Sequence, residues 1–86
     1  MEARQLVGWN LRRLRVAKGL SQDDLAYESK VERAYVGHLE RGTKNPTIGL
    51  LERLAMTLDC EIQELFLRPP EGSAKPQTLK PGRHQR

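Results

Sequence analysis

The side chains with the clearest chemical use lie between residues 32 and 38 of the 86-residue chain. Arg33 can donate two hydrogen bonds to the O6 and N7 acceptors of a guanine, and Ala34 can pack against a thymine methyl. Glu32 could accept a hydrogen bond from cytosine N4, although repulsion from phosphate is equally plausible. Tyr35 suits either a DNA contact or helix packing, and His38 suits a phosphate contact or solvent. These residue types favour contacts with a nucleic acid.

The rest of the sequence gives little support for catalysis. It contains no glycine-rich phosphate loop, no carboxylate pair with a defined partner and no Cys/His cluster. His38 and Glu40 form a His-x-Glu pair without a nearby second His or Cys, which is a very weak metal signal. Ser21 is better explained as a helix cap than as a nucleophile, and Cys60 as a core or surface residue than as a redox sensor. We therefore expect no enzymatic activity, no metal and no cofactor.

Two short helices must position the side chains that could contact a nucleic acid. Ser21 is a suitable N-cap, and Asp24 stands three residues later, close to a capping-box arrangement. The pattern predicts one helix over about 22–29 and another over about 33–40, with Gly42 as its C-terminal left-handed residue. Two short helices joined by a tight turn predict a helix-turn-helix, whose first helix crosses the phosphate backbone while the second enters the major groove.

Three further helices are predicted, which makes the fold class all-α with five helices. The first covers residues 3–18, the fourth follows a Thr47 cap, and a short fifth covers about 62–67. Trp9 lies beside the apolar face of the first helix and is expected to be half-buried. The residues predicted to face the core are Val7, Leu11, Leu14, Ala17, Leu25, Ala26, Val36, Leu39, Ile48, Leu50, Leu51, Leu54, Ala55 and Leu58.

The net charge of +4 comes entirely from the C-terminal segment. Residues 1–67 contain ten Lys/Arg and ten Asp/Glu, so a DNA-binding face there must segregate its charges. Residues 68–86 are rich in proline and carry five basic residues against Glu71 alone. We predict a DNA-binding domain over 1–67 and a disordered basic tail over 68–86, acting as an inert linker or as an arm that adds salt-sensitive affinity.

Composition also favours a cytoplasmic location. No apolar run approaches the roughly 20 residues that a membrane span requires. The first residues lack the long apolar stretch of a signal peptide, and a single cysteine suits a reducing compartment. We expect no membrane association.

Four segments together closely resemble the Cro/C1-type (Xre) repressor family. They are residues 19–26 (GLSQDDLA), 36–42 (VGHLERG), 45–47 (NPT) and 51–58 (LERLAMTL). The resemblance covers about residues 5–67, and the segments around 24–27 and 32–35 look most like controller proteins of restriction–modification systems. It implies a five-helix, lambda-repressor-like domain that binds double-stranded DNA, usually as a homodimer on a palindromic operator.

The resemblance also assigns roles to individual residues. Gln22 matches a position that bonds a DNA phosphate, and Arg15 and Glu40 match a buried ion pair that joins the first and third helices. Gly37 replaces a common polar contact residue, and we place it at an exposed helix position. The full predicted DNA-binding set is Gln22, Glu32, Arg33, Ala34, Tyr35, His38, Arg41, Lys44 and Asn45.

Two positions depart from the family pattern around the turn. Lys30 stands where the family usually has a turn glycine, so the turn is expected to be slightly strained or to use another geometry. Glu32 stands where Ser or Thr commonly caps the third helix, and Glu is a poor cap.

The dimer surface is expected in the C-terminal part of the domain, because the second and third helices face DNA. Leu65, Phe66 and Leu67 offer apolar area there beyond what the core needs. An alternative function is a protein-interaction module, such as an antitoxin-type partner, which the charge-neutral core keeps open. The few apolar residues of the C-terminal segment count against that alternative.

Overall fold

The computed structural model describes residues 1–70. Within them, α1 (Ala3–Ala17), α2 (Gln22–Ser29), α3 (Arg33–Arg41) and α4 (Ile48–Thr57) precede a 3₁₀ helix (Ile62–Phe66). The all-α class is confirmed, but the fifth helix is a 3₁₀ helix and not an α-helix. It holds only five residues, and 3₁₀ geometry is used mainly in such short segments. The tail predicted to be disordered lies, from residue 71 onward, outside the described residues.

The start of α2 is fixed by the expected capping box, with aspartate in place of the usual glutamate. The Ser21 hydroxyl accepts from the backbone N–H of Asp24 at 2.9 Å, and the Asp24 carboxylate accepts from the N–H of Ser21 at 3.0 Å. Thr47 caps α4 by accepting from the N–H of Leu50 at 3.0 Å. Because these caps satisfy N–H groups that no helix can satisfy internally, they fix where the two helices begin.

The turn between α2 and α3 uses the left-handed geometry that normally selects glycine. Lys30 has φ 60° and ψ 42°, a conformation that costs a non-glycine residue about 1–2 kcal/mol. The guanidinium of Arg53, on α4, donates to the Lys30 carbonyl at 3.3 Å. Glu32 makes no side-chain capping bond, in agreement with its poor capping chemistry. The helix-turn-helix thus forms despite two unfavourable local choices, because tertiary packing supports it.

The core lies where the four α-helices and the 3₁₀ helix meet, and most of the predicted inward-facing residues belong to it. Ile48 is 76% exposed, however, and Ala17 is also exposed, which corrects their assignment to the core. Ala17 is the last residue of α1 and Ile48 is the first residue of α4. At these two ends the apolar face of the helix extends beyond the elements that pack against it, so both side chains meet solvent. Trp9 is half-buried, as expected.

Asn10 connects α1 to the C-terminal part of the fold, a role that the sequence did not indicate. Its Nδ2 lies within hydrogen-bond distance of the carbonyls of Leu6 (3.0 Å), Leu65 (3.1 Å) and Leu67 (2.8 Å). Leu65 is 0% exposed and is part of the core, so it offers no area to a partner and its assignment to a dimer surface is wrong. Phe66 (44% exposed) and Leu67 (49%) remain accessible.

None of the helices formed by residues 1–70 is long and apolar enough to cross a membrane.

Candidate nucleic-acid interface

The outer face of α3 presents the side chains that the sequence singled out. Arg33 and Ala34 are exposed in its first turn, whereas Val36 and Leu39 are fully or nearly fully buried beneath. Tyr35 is half-buried and packs against the core, so packing accounts for at least part of its role. The helix therefore has one face that fixes it to the domain and one face free to meet a ligand.

Arg33 is held on this face by an exposed ion pair with α2. Its Nε lies 2.7 Å from Asp23 Oδ1, and the two side chains are 52% and 67% exposed. An exposed pair of this kind contributes only about 0–1 kcal/mol, since water screens it. The guanidinium is thus pre-placed above α3 but can exchange its carboxylate for another acceptor at little cost.

Gly37 is buried, which corrects the expectation that it occupies an exposed position. A Cβ at this residue would lie 3.3 Å from one guanidinium nitrogen of Arg33 and 3.3 Å from one of Arg41, and 3.9 Å from Gln22 Oε1. The side chains from one turn before and one turn after the glycine therefore cover it. The absence of a side chain at Gly37 leaves room for the two guanidinium groups over this part of the helix.

A buried network behind this face orients Gln22. The Glu40 carboxylate accepts from Arg15 Nε at 2.6 Å and Nη2 at 2.9 Å, and also from Gln22 Nε2 at 2.9 Å. Arg15 Nη1 donates to the Leu20 carbonyl at 2.9 Å. The Arg15 and Glu40 side chains are 1% and 2% exposed. This pair joins α1 to α3 as the family resemblance implied, and it fixes the amide of Gln22 at the first residue of α2.

The C-terminal end of α3 carries a second polar group. An Arg41 guanidinium nitrogen lies 2.9 Å from His38 Nδ1, and because arginine can only donate, Nδ1 is the acceptor of this hydrogen bond. Thr43 Oγ1 donates to the His38 carbonyl at 3.1 Å. Lys44 and Asn45 are exposed on the loop that follows.

The fold thus brings most of the predicted DNA-binding residues to α2, α3 and the loop after α3. Glu32 is exposed immediately before α3. Phe66 and Leu67 lie elsewhere, at the 3₁₀ helix that packs against α1 and α4. Arg12 was missed: it borders a groove beside this surface, and its only sequence signal is an arginine one turn before Arg15. Residues 1–70 contain no group of three or more His, Cys, Asp or Glu placed to hold a metal ion.

Comparisons with known proteins agree with this geometry. A helix-turn-helix family model matches residues 11–65, so the chain belongs to the helix-turn-helix family. An uncharacterised HTH-type transcriptional regulator of Sinorhizobium fredii, y4dJ, is 43% identical over 65 residues, which are 76% of this chain and 84% of that protein.

Two solved structures extend the comparison to restriction–modification controllers. The controller protein C.AhdI from Aeromonas hydrophila is 48% identical with a TM-score of 0.71, and the match covers 73% of this chain and 96% of that one. The controller C.Esp1396I, solved as a tetramer with its natural 35 base-pair operator, is 30% identical with a TM-score of 0.67, covering 76% and 96%. The chain is a DNA-binding transcriptional regulator of the Cro/C1 (Xre) type, similar to these controller proteins.

Proposed function

We propose that the protein acts in the cytoplasm as a homodimer on a palindromic operator, as a repressor or autoregulator of transcription. In this proposal α2 lies across the phosphate backbone with Gln22 at its N-terminus, and α3 enters the major groove. Arg33 and Ala34 contact base edges. Glu32, Tyr35, His38, Arg41, Lys44 and Asn45 contact bases or phosphates at the margins.

The observation that carries the proposal is the contrast between the buried inner face and the exposed outer face of α3. Its inner face is held in the domain by Val36, Leu39 and the buried Glu40 network. Its outer face presents the exposed Arg33, whose guanidinium lies over Gly37. A rigid helix with an exposed arginine in its first turn meets the geometric requirement for reading a guanine. The relative C.Esp1396I, which was solved on its operator, supports the same use of the fold.

Selection of bound sequences from a random DNA pool, with the full 86-residue chain as bait, tests this function. We expect an enriched palindrome whose half-sites are about 34 Å, one helical turn, apart, because two symmetry-related helices must reach successive major grooves. Enrichment of a single asymmetric half-site would argue against the dimer. No enrichment, combined with stoichiometric capture of one protein, would favour the protein-interaction module instead.

The dimer surface is proposed at Phe66 and Leu67, now without Leu65. These two side chains are about half exposed at the end of the described fold and far along the chain from α2 and α3. We expect Phe66→Glu to weaken dimerisation and operator binding together, because a buried carboxylate without a partner strongly disfavours an interface. Sedimentation that still shows a full dimer would place the interface elsewhere.

A further inference from the structure

A groove of about 330 Å³ lies between α1 and the C-terminal end of α3, next to the surface proposed to face DNA. Its walls include Gln5, Trp9 and Arg12 from α1 together with Glu40 and Arg41 from α3. We call this feature the α1–α3 groove. It combines an indole wall with two arginines, and no role assigned above uses it.

Arg12 is the unusual member of the groove. Its Nε is buried, and no hydrogen-bond acceptor among residues 1–70 reaches it. The nearest carboxylate oxygen, Glu40 Oε1, is 3.7 Å away. The Glu40 carboxylate already accepts three hydrogen bonds, two from Arg15 and one from Gln22, so it has little capacity left for a fourth donor. A buried donor without an acceptor is unfavourable, and a ligand that supplies an acceptor would relieve this.

The charges around the groove do not balance. One carboxylate, Glu40, faces the two guanidinium groups of Arg12 and Arg15, so one positive charge remains uncompensated. Arg41 adds a second uncompensated charge, because the His38 Nδ1 that accepts its hydrogen bond carries no formal charge. The indole of Trp9 makes one wall of the groove apolar, and attraction between charges is stronger beside apolar surface than in bulk water.

The position of Arg41 indicates which anion the groove would meet. Arg41 lines the groove and also lies over Gly37 beside Arg33, on the outer face of α3. A duplex seated on α3 would therefore pass its backbone across the edge of the groove. Phosphates are the anions that DNA presents at such an edge, and arginine binds them in a bidentate manner.

We propose that the α1–α3 groove binds a backbone phosphate at the flank of the half-site that α3 reads. Arg12 and Arg41 donate to the phosphate oxygens, and Trp9 packs against the adjoining sugar. This inference rests on the proposed function, because it requires DNA on α3. It adds α1 to the interface and makes Arg12 a phosphate-binding residue.

The test compares the full chain with Arg12→Gln on the selected operator, with Lys18→Gln as the control. Lys18 is exposed at the C-terminal end of α1 and does not line the groove, so this control removes the same charge away from the groove. We expect Arg12→Gln to bind about a hundredfold more weakly, because the homodimer loses one hydrogen bond to a charged group, typically about tenfold, in each half-site. The slope of log K against log salt should become shallower by about 1.8, twice the value of about 0.9 for one phosphate contact. Lys18→Gln should change neither quantity to this extent.

Replacement of single operator phosphates by uncharged methylphosphonates locates the contact. At one flanking position in each half-site, neutralisation should weaken Arg12→Gln less than it weakens the unmodified protein, because only Arg41 then still contacts that phosphate. Equal losses for both proteins at every position, or an Arg12→Gln slope equal to that of Lys18→Gln, would overturn the inference while leaving the operator function intact.

Two more outcomes are informative. If circular dichroism shows that Arg12→Gln is unfolded, Arg12→Lys replaces it. Arg12→Lys keeps the charge but not the fork of donors, and is expected to retain the salt slope with weaker binding. A slope shallower by about 1.8, the value for two lost phosphate contacts, or unweakened binding, would overturn the proposal. If the unmodified protein selects no DNA, the proposed function itself fails, and this inference fails with it.

Discussion

Two arginine–carboxylate pairs of nearly equal length have different roles in this domain. Arg15 Nε lies 2.6 Å from Glu40, and Arg33 Nε lies 2.7 Å from Asp23. The side chains of the first pair are 1% and 2% exposed, whereas those of the second are 52% and 67% exposed. Burial, and not distance, therefore separates a pair that holds helices together from a pair whose arginine is available to a ligand.

The difference follows from solvation. The buried pair cannot exchange its partners for water without a large loss, so it fixes α1 against α3 and orients Gln22 through a third hydrogen bond. The exposed pair is screened by water, and its partners can part with little change in free energy. The same two functional groups thus have two effects. The buried Arg15–Glu40 pair fixes α3 against α1, and the exposed Arg33–Asp23 pair leaves Arg33 able to bind a ligand.

The largest effect is expected from breaking the buried pair. Glu40→Gln keeps the shape of the side chain but leaves the Arg15 charge buried without a counter-charge, which typically costs about 3–5 kcal/mol in the free energy of unfolding. Urea denaturation followed by circular dichroism measures this. In a domain of this size such a loss approaches the whole stability.

Asp23→Asn is the matched control for that prediction, because it neutralises the carboxylate of the exposed pair. It should change the free energy of unfolding by less than about 1 kcal/mol. If the two variants lost equal stability, the contrast between the pairs would be refuted.

A smaller effect, on binding and not on folding, is expected for Arg33. Arg33→Ala should weaken binding to the selected operator by about 1–3 kcal/mol and change binding to random DNA little, because a bidentate contact to guanine exists only on the correct sequence. Competition titrations on both DNAs at one fixed salt concentration measure this. Equal losses on both would assign Arg33 to a phosphate and not to a base.

Much of the fold was accessible from sequence because local signals and helical periodicity agree. The Ser21 capping box, Gly42 and Thr47 fix the helix starts and stops, and the apolar spacing marks the buried faces. The exposed position of Ile48 was not accessible, because periodicity shows which way a residue points but not where the packed elements end. The placement of residues 62–66 against α1 was not accessible either, because it involves the bond from Asn10 to the Leu65 carbonyl and core packing, which are long-range contacts.

The site was only partly accessible for the same reason. Arg33 and Ala34 could be assigned to the outer face from spacing alone. The burial of Gly37 depends on how two long side chains one turn away fold over it, and the unsatisfied state of Arg12 depends on which donors have already taken Glu40. Both features depend on which side chains reach the same space or the same acceptor in the folded domain, and the order of residues along the chain does not show this directly. The family resemblance supplied the Arg15–Glu40 pair, which lies 25 residues apart in sequence.

Gly37→Ala gives the smallest expected effect and tests whether the Arg33 side chain of the exposed pair can move. Alanine is favoured over glycine inside a helix by about 0.8–1.0 kcal/mol. The new Cβ would meet the Arg33 and Arg41 guanidinium nitrogens at 3.3 Å, but these are the ends of flexible, solvent-facing side chains that can shift by a few tenths of an ångström. We therefore expect a higher melting temperature by thermal denaturation, together with weaker operator binding because both guanidinium groups are lifted from the helix. A lower melting temperature would mean that the Arg33 and Arg41 side chains cannot move aside. The exposed Arg33–Asp23 pair would then be as firmly fixed as the buried Arg15–Glu40 pair.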